Sequence, residues 1–235
     1  MNYEPTTYLT VLDKGYVRLV DHMGDDLSIV NAARVSYDKE SPVFTEKDNR
    51  LLSFLLEEGH MSPLRHAACT FEIYAPLMVA RQWWKYAVGS THIDDQNGWN
   101  ESSRRYITEN EQFYENFIWR SAPTNSKQGS GPDLDNEMQQ KWTSLLQYMN
   151  ETALSMYNKA LEAGIAPEQA RLFLPANALY VRWRWTTSLA ALLHFLNQRL
   201  EHDAQKEIQA YAQAIEKITR PLYPHTFQQA LKSQQ

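Results

Sequence analysis

The chain has 235 residues, 43% of them hydrophobic, with 28 acidic against 23 basic side chains and a formal net charge of −5. That length suits one large domain or two small ones, and the acidic balance argues against bulk electrostatic binding to nucleic acid. No apolar run approaches the roughly eighteen residues of a membrane span, and a single cysteine, Cys69, excludes an intrachain disulfide. The opening MNYEPTTYLT lacks the basic and apolar regions of a signal peptide, so a cytoplasmic protein is expected.

In chain order, residues 8–20 alternate loosely around the turn signal Lys14-Gly15 and predict two short strands or a hairpin. Asp25 or Asp26 can cap a helix running through Asn31 to Ser36. Thr45 starts a second helix, with Asp48 three residues on as a capping box, Leu51, Leu52, Leu55 and Leu56 as its stripe, and Gly59 as its stop. Residues 68–74 alternate, with Cys69, Phe71 and Ile73 on one side, which predicts a strand that buries the only thiol. Pro76 suits the first position of a helix whose apolar face is Leu77, Met78, Ala80 and Trp84, with Gln82, Lys85 and Tyr86 on another side.

Gly89, Asp94, Asp95, Asn97 and Gly98 break that helix into a loop that delivers Asn100, Glu101, Ser102, Ser103, Arg104 and Arg105 in succession. Hydroxyls, backbone N–H groups and guanidinium forks in such a run can bind a phosphate and a polar ring, although a solvated loop has the same composition. Residues 121–135 read as an exposed loop, and residues 137–163 as a long amphipathic helix with Trp142, Leu145, Leu146, Met149, Ala153, Met156, Tyr157, Ala160 and Leu161 on its stripe. A short helix from Pro167 carries Glu168 and Arg171. In residues 180–186, Val181, Trp183 and Trp185 alternate with Tyr180, Arg182 and Arg184. That alternation suits a sheet with one packed face better than a platform for single-stranded nucleic acid. Ser188 caps a helix with Leu189, Leu192, Leu193 and Leu196 inward and His194 and Arg199 off the stripe, and Asp203 opens a last helix. His60 and His66 stand six apart without an acidic partner, which is poor metal spacing, so no metal site is expected. No glycine-rich dinucleotide fingerprint occurs.

Several ordered segments resemble flavin-dependent thymidylate synthases. NESSRRY reads as the second half of the family signature, ARQWWKY as its approach, and LDKGYVRLVDHMGDDLSIVNAARVSYD, GHMSPLRH, QARLFLP and HFLNQRLEHDAQKEIQAYA agree in order. The similarity runs from about residue 9 to 227 and is weak from about 107 to 135. Where the family has Arg-His-Arg, this chain has Lys85-Tyr86-Ala87, followed by an insertion at 88–99 in which Ser90, Thr91 or His92 could substitute. Arg65 stands where a glutamate is usual.

The resemblance implies a single domain over 1–235 with an α+β fold of the thymidylate-synthase-complementing-protein type: a central, mainly antiparallel sheet flanked by long helices. It implies homotetramers whose active sites are shared between subunits. It implies reductive methylation of dUMP to dTMP, with 5,10-methylenetetrahydrofolate as carbon donor and NADPH-reduced FAD as hydride source. Carried over by position, Arg199 is the catalytic residue that activates the uracil ring. The dUMP set is Gln82, Trp83, Trp84, Lys85, Glu101, Ser102, Ser103, Arg104, Arg105, Arg171 and Arg199. The FAD set is Ser36, Ser62, Lys85, Tyr86, Ala87, Glu101, Ser188, Leu189, Ala190 and His194. Loss of the triplet leaves a second expectation, a homologue that binds nucleotide or flavin without turnover.

Overall fold

A computed structural model describes residues 7–89, 98–115, 118–124 and 129–231. Five strands, β1 (Tyr8–Val11), β2 (Gly15–Met23), β3 (Ala68–Pro76), β4 (Gly98–Glu101) and β5 (Tyr180–Ser188), form one sheet in the order β1-β2-β3-β5-β4, with every pairing antiparallel. The β1–β2 hairpin closes at Gly15, opposite Val11. A Cβ at Gly15 would lie 1.9 Å from the Tyr211 hydroxyl and 2.7 Å from the Tyr74 carbonyl. Only glycine lets Tyr211 come in and donate to that carbonyl at 2.8 Å.

The strand alternation has the consequence expected of a pleat. Cys69, Phe71, Ile73, Trp183 and Trp185 are buried on one face. On the other, Arg18, Glu72 and Arg184 lie in register across β2, β3 and β5. Glu72 accepts from Arg18 at 3.1 Å and from Tyr16 at 2.9 Å. Burial alone would raise the Glu72 carboxyl, but the Tyr16 hydroxyl and the Arg18 guanidinium bring it below its ordinary value. Tyr180 departs from the solvated reading: it is buried, its ring 4.8 Å from Tyr74 and its hydroxyl donating to Asp13. With Trp183 and Trp185 in the core, β5 presents no tryptophan on which a base could stack.

Among the described residues, eight α-helices surround the sheet: α1 (Asp26–Arg34), α2 (Glu46–Glu57), α3 (Leu77–Gly89), α4 (Asn136–Glu162), α5 (Pro167–Ala170), α6 (Leu189–Arg199), α7 (Lys206–Thr219) and α8 (Pro224–Ala230). The expected caps form at α1, through Asp25 and Ser28, and at α2, through Thr45 and Asp48. Asp48 ties three segments together, accepting from Thr45 N at 2.9 Å, Ser41 Oγ at 2.8 Å and Arg34 Nη2 at 2.6 Å. Burial opposes ionisation of Asp48, but these donors hold its carboxyl well below the usual carboxylate range.

Four expectations change. Pro76 ends β3 opposite Tyr180 rather than opening α3, because the Leu77 N–H is taken by the Leu179 carbonyl at 2.8 Å. The inward tryptophan of α3 is Trp83, fully buried, with Trp84 41% exposed. Residues 98–101 form an edge strand and not a loop, since Trp99 stacks on Trp183 at 4.9 Å. The helix expected from Asp203 begins at Lys206, and α8 follows it.

The main core lies between the sheet and α1, α3, α6, α7 and α8, and a smaller cluster of Phe113, Tyr157, Ala160, Ala170, Leu174 and Leu179 lies under α4. Of the α4 stripe, Tyr157 and Ala160 are buried, while Trp142, Leu145, Met149 and Met156 are 39%, 44%, 57% and 45% exposed.

Candidate active site

Three elements meet at a polar cleft of about 560 Å³: the middle of α3, the last turn of α6, and the turn that leads into α7. Gln82, Arg199, His202 and Gln205 are among its lining residues. Arg199 ends α6, off the leucine stripe that anchors that helix, so the buried stripe fixes where its guanidinium goes. The guanidinium lies over the Tyr86 ring at 5.1 Å from its centroid and donates through Nη1 to Gln82 Oε1 at 3.5 Å. Its Nε is buried without a hydrogen-bond partner. A buried, unpartnered donor beside a cleft is what a bound acceptor would satisfy.

Gln82 is held from behind. Its Nε2 donates to Gln205 Oε1, Gln205 Nε2 donates to Glu207 Oε2 at 2.8 Å, and Arg120 Nη2 donates to Glu207 Oε1 at 2.7 Å. Sequence reading did not single out Gln205, Glu207 or Arg120. The only sign was that Gln205 and Glu207 fall inside the segment HFLNQRLEHDAQKEIQAYA.

Tyr86 packs edge-on to Phe195 at 5.5 Å and lies 5.8 Å from the exposed His194. Lys85 precedes it on the exposed side of α3. This gathers Gln82, Lys85, Tyr86, His194 and Arg199 on the neighbouring flanks of α3 and α6. Trp83 is not among them. It is buried against Phe195 at 4.5 Å and against Trp183 and Trp185 at 5.4 Å, with its ring in the core. Trp84 faces the other way, edge-on to Trp99 at 5.1 Å.

The NESSRRY residues gather elsewhere. Ser102 continues the β4–β5 pairing, its N–H donating to Arg182 O at 2.8 Å and its Oγ accepting from Arg182 N at 3.2 Å. Arg104 is taken up by its own loop, donating to Glu109 O at 3.1 Å and Glu111 at 3.0 Å. Both support this turn. Arg105 is exposed, over the Tyr106 ring at 5.1 Å and 3.4 Å from Ser103 Oγ. Burial raises the Glu101 carboxyl, offset in part by Trp99 and Arg81. Ser102 and Arg104 line a separate groove of about 360 Å³ with Tyr16, Tyr74 and Arg182, and neither lines the cleft of Gln82 and Arg199. Arg171 is exposed on the turn after α5, its Nε donating to Glu168 O at 3.1 Å.

The remaining flavin-set residues divide. Ser36 and Ser62 are exposed. Arg65, in the same turn as Ser62, has a buried Nε without a partner. Ser188, Leu189 and Ala190 are buried, with Ser188 Oγ capping Ala191 N at 3.2 Å and Leu189 N donating to Ala67 O at 2.8 Å. Their side chains belong to the core and to the cap of α6. The side chain of Ala87 and residues Ser90, Thr91 and His92 lie outside the described residues. Cys69 is buried, 3.7 Å from the Tyr223 hydroxyl, and burial pushes its thiol up to about 12. Among the described residues no group of acidic, histidine or cysteine side chains is arranged to hold a metal, and no helix is long and apolar enough to cross a membrane.

The chain matches known proteins along most of its length. The family model described as thymidylate synthase complementing protein matches residues 18–225. A flavin-dependent thymidylate synthase of Thermosipho africanus is 40% identical over 224 residues, 94% of this chain and 93% of that protein. One from Thermus thermophilus is 41% identical over 217 residues, 92% of this chain and 75% of that protein. Among solved structures, the UMP/dUMP methylase PolB from Streptomyces cacaoi bound with 5-Br dUMP superposes with a TM-score of 0.80 at 27% identity, covering 94% of this chain and 96% of that one. With its antiparallel sheet, its Gln82–Arg199 cleft and these matches along nearly its whole length, the chain belongs to the thymidylate synthase complementing protein family, that of the flavin-dependent thymidylate synthases.

Proposed function

We propose that the protein catalyses the reductive methylation of dUMP to dTMP, in the cytoplasm, with 5,10-methylenetetrahydrofolate as carbon donor and NADPH as the source of reducing equivalents. The observation that carries the reading is Arg199. Its guanidinium is fixed by Tyr86 and Gln82, with a buried Nε left for a ligand. A cation held against the uracil edge favours electron density on the ring carbonyl and so strengthens C5 as a nucleophile. That the neighbouring structures are of a methylase holding brominated UMP and dUMP supports a pyrimidine nucleotide here.

The phosphate needs cations, and of the arginines in the dUMP set Arg105 and Arg171 are exposed and do not line the cleft. This supports an active site assembled from more than one subunit, with Gln82 and Arg199 from one and Glu101, Ser103, Arg105 and Arg171 from another. The half-exposed stripe Trp142, Leu145, Met149 and Met156 is the face this reading assigns to subunit contact in a homotetramer.

The residues present fit a flavin. Lys85, Tyr86 and His194 lie on α3 and α6, with Tyr86 against both Arg199 and His194, and Arg65 adds a buried donor without a partner in the turn of Ser62. Lys85, Tyr86, His194, Arg65 and Ser62 would hold FAD, with Glu101 between it and the nucleotide. When bound there, the flavin would supply the hydride for the methyl group. Cys69 takes no part, because its thiol is buried in the sheet.

The test is direct. Purified protein should carry a flavin absorbance and convert dUMP to dTMP with the folate and NADPH. Arg199→Ala should lower methylation by a factor of 100 or more, since one such donor in the transition state is worth about 3 kcal/mol, while flavin stays bound. Flavin-loaded parent protein with no turnover would favour instead a homologue that binds without reaction, to which the absent Arg-His-Arg triplet points.

A further inference from the structure

The hydrogen bonds behind the cleft have a direction. Glu207 is buried and its carboxylate can only accept. One oxygen accepts from Arg120 at 2.7 Å and the other from Gln205 Nε2 at 2.8 Å. Gln205 must therefore turn its NH2 towards Glu207, where Met78 Sδ at 3.7 Å is a second acceptor for it. That leaves the Gln205 carbonyl facing Gln82. A second carbonyl there would set oxygen against oxygen, so Gln82 must present its NH2 to Gln205. Its own carbonyl is then left facing Arg199 and the cleft, and the 3.5 Å contact from Arg199 Nη1 fits that orientation. One charge, two amides removed, decides which end of Gln82 faces the ligand.

We infer that Glu207 is a positioning residue for base selection: through Gln205 it locks Gln82 with its carbonyl towards the cleft, so that Gln82 and Arg199 together select uracil over cytosine. This rests on the reading of the Gln82–Arg199 cleft as the pyrimidine site. An amide carbonyl beside a guanidinium offers one acceptor and several donors. Uracil answers with an N3–H donor beside carbonyl acceptors. Cytosine has an N3 acceptor beside an amino donor, the reverse order. A site built to pair with one hydrogen-bond pattern rejects the other because its own polar groups would be left unpaired. Glu207 need not touch the nucleotide. It lines the adjoining apolar pocket, with Tyr114 and Leu146, and not the cleft.

Glu207→Gln tests this, because an amide at 207 that gives its oxygen to Arg120 must turn its NH2 towards Gln205, which reverses the relay. Calorimetric titration of the flavin-loaded protein with dUMP and with dCMP gives the ratio of the two dissociation constants. The parent should prefer dUMP, and Glu207→Gln should lose about ten-fold of that preference, the equivalent of about 1.4 kcal/mol. Gln205→Met interrupts the relay while leaving the Arg120–Glu207 pair in place. It should lose the same preference, and it stands in if Glu207→Gln does not fold. A purely structural role would lower the melting temperature but leave the ratio alone. An unchanged ratio in a folded variant overturns the inference and leaves the functional reading standing. A parent protein that binds neither nucleotide overturns both.

Discussion

If the thiol takes no part, Cys69→Ala should leave the chemistry intact. Cys69 sits in β3 between His22 and Thr187 of the neighbouring strands, 1% exposed, with Tyr223 as its polar neighbour. Burial pushes the thiol up to about 12. At pH 7 that leaves on the order of one thiolate in 10⁵ molecules, and the thiolate is the form that attacks a ring. Removing the sulfur leaves a small cavity among well-packed neighbours and costs about 1 kcal/mol. It orphans no donor, because the Tyr223 hydroxyl still reaches Met23 O at 3.0 Å and Ala68 O at 3.2 Å. For a chain of this size the melting temperature should fall by about 2–4 °C. Turnover of dUMP by the flavin-loaded variant should stay within about two-fold of the parent, and native protein should resist iodoacetamide. A folded, flavin-loaded Cys69→Ala that has lost turnover would refute the reasoning and bring back a covalent cysteine mechanism.

Other consequences can be measured alongside. Asp48→Asn keeps the shape but loses the charge that Arg34, Ser41 and Thr45 donate to, and should cost about 3–5 kcal/mol, read from denaturant midpoints. The Asp48 carboxyl is depressed in the folded state, so its stabilisation is fully present above the unfolded value, about 3.9, and is lost as pH falls through the folded value. The melting-temperature gap between parent and Asp48→Asn should therefore hold steady above about pH 5 and narrow below about pH 4; a gap independent of pH would count against this. Lys85→Ala should weaken FAD about ten-fold by fluorescence titration if it supplies a charged hydrogen bond in place of the missing arginines, and an unchanged affinity removes it from the flavin set. Met149→Asp places a charge on the half-exposed α4 stripe proposed for subunit contact and should shift sedimentation towards smaller species, whereas unaltered sedimentation would count against that contact.

What the sequence by itself determined about this protein is local or periodic. The alternation of residues 68–74 and 180–186, the caps at Asp25, Thr45 and Ser188, and the leucine stripe of α6 each follow from a few neighbouring residues, and all appear in the fold. The ordered family segments placed the chain among its relatives for the same reason, since a motif is a short-range pattern. Tertiary structure decided everything that depends on residues far apart in the chain meeting. Helical spacing could not choose between Trp83 and Trp84, because that rests on which side of α3 meets Phe195 and the sheet. Nor could it separate Arg104 from Arg105. One folds back on Glu111 and the other stays exposed beside Ser103 and Tyr106. The relay behind Gln82 joins residues 123 positions apart, and its anchoring ion pair joins residues 87 apart. A glutamine in a sequence is donor and acceptor alike, and only the buried carboxylate at the far end of a folded network gives it a direction.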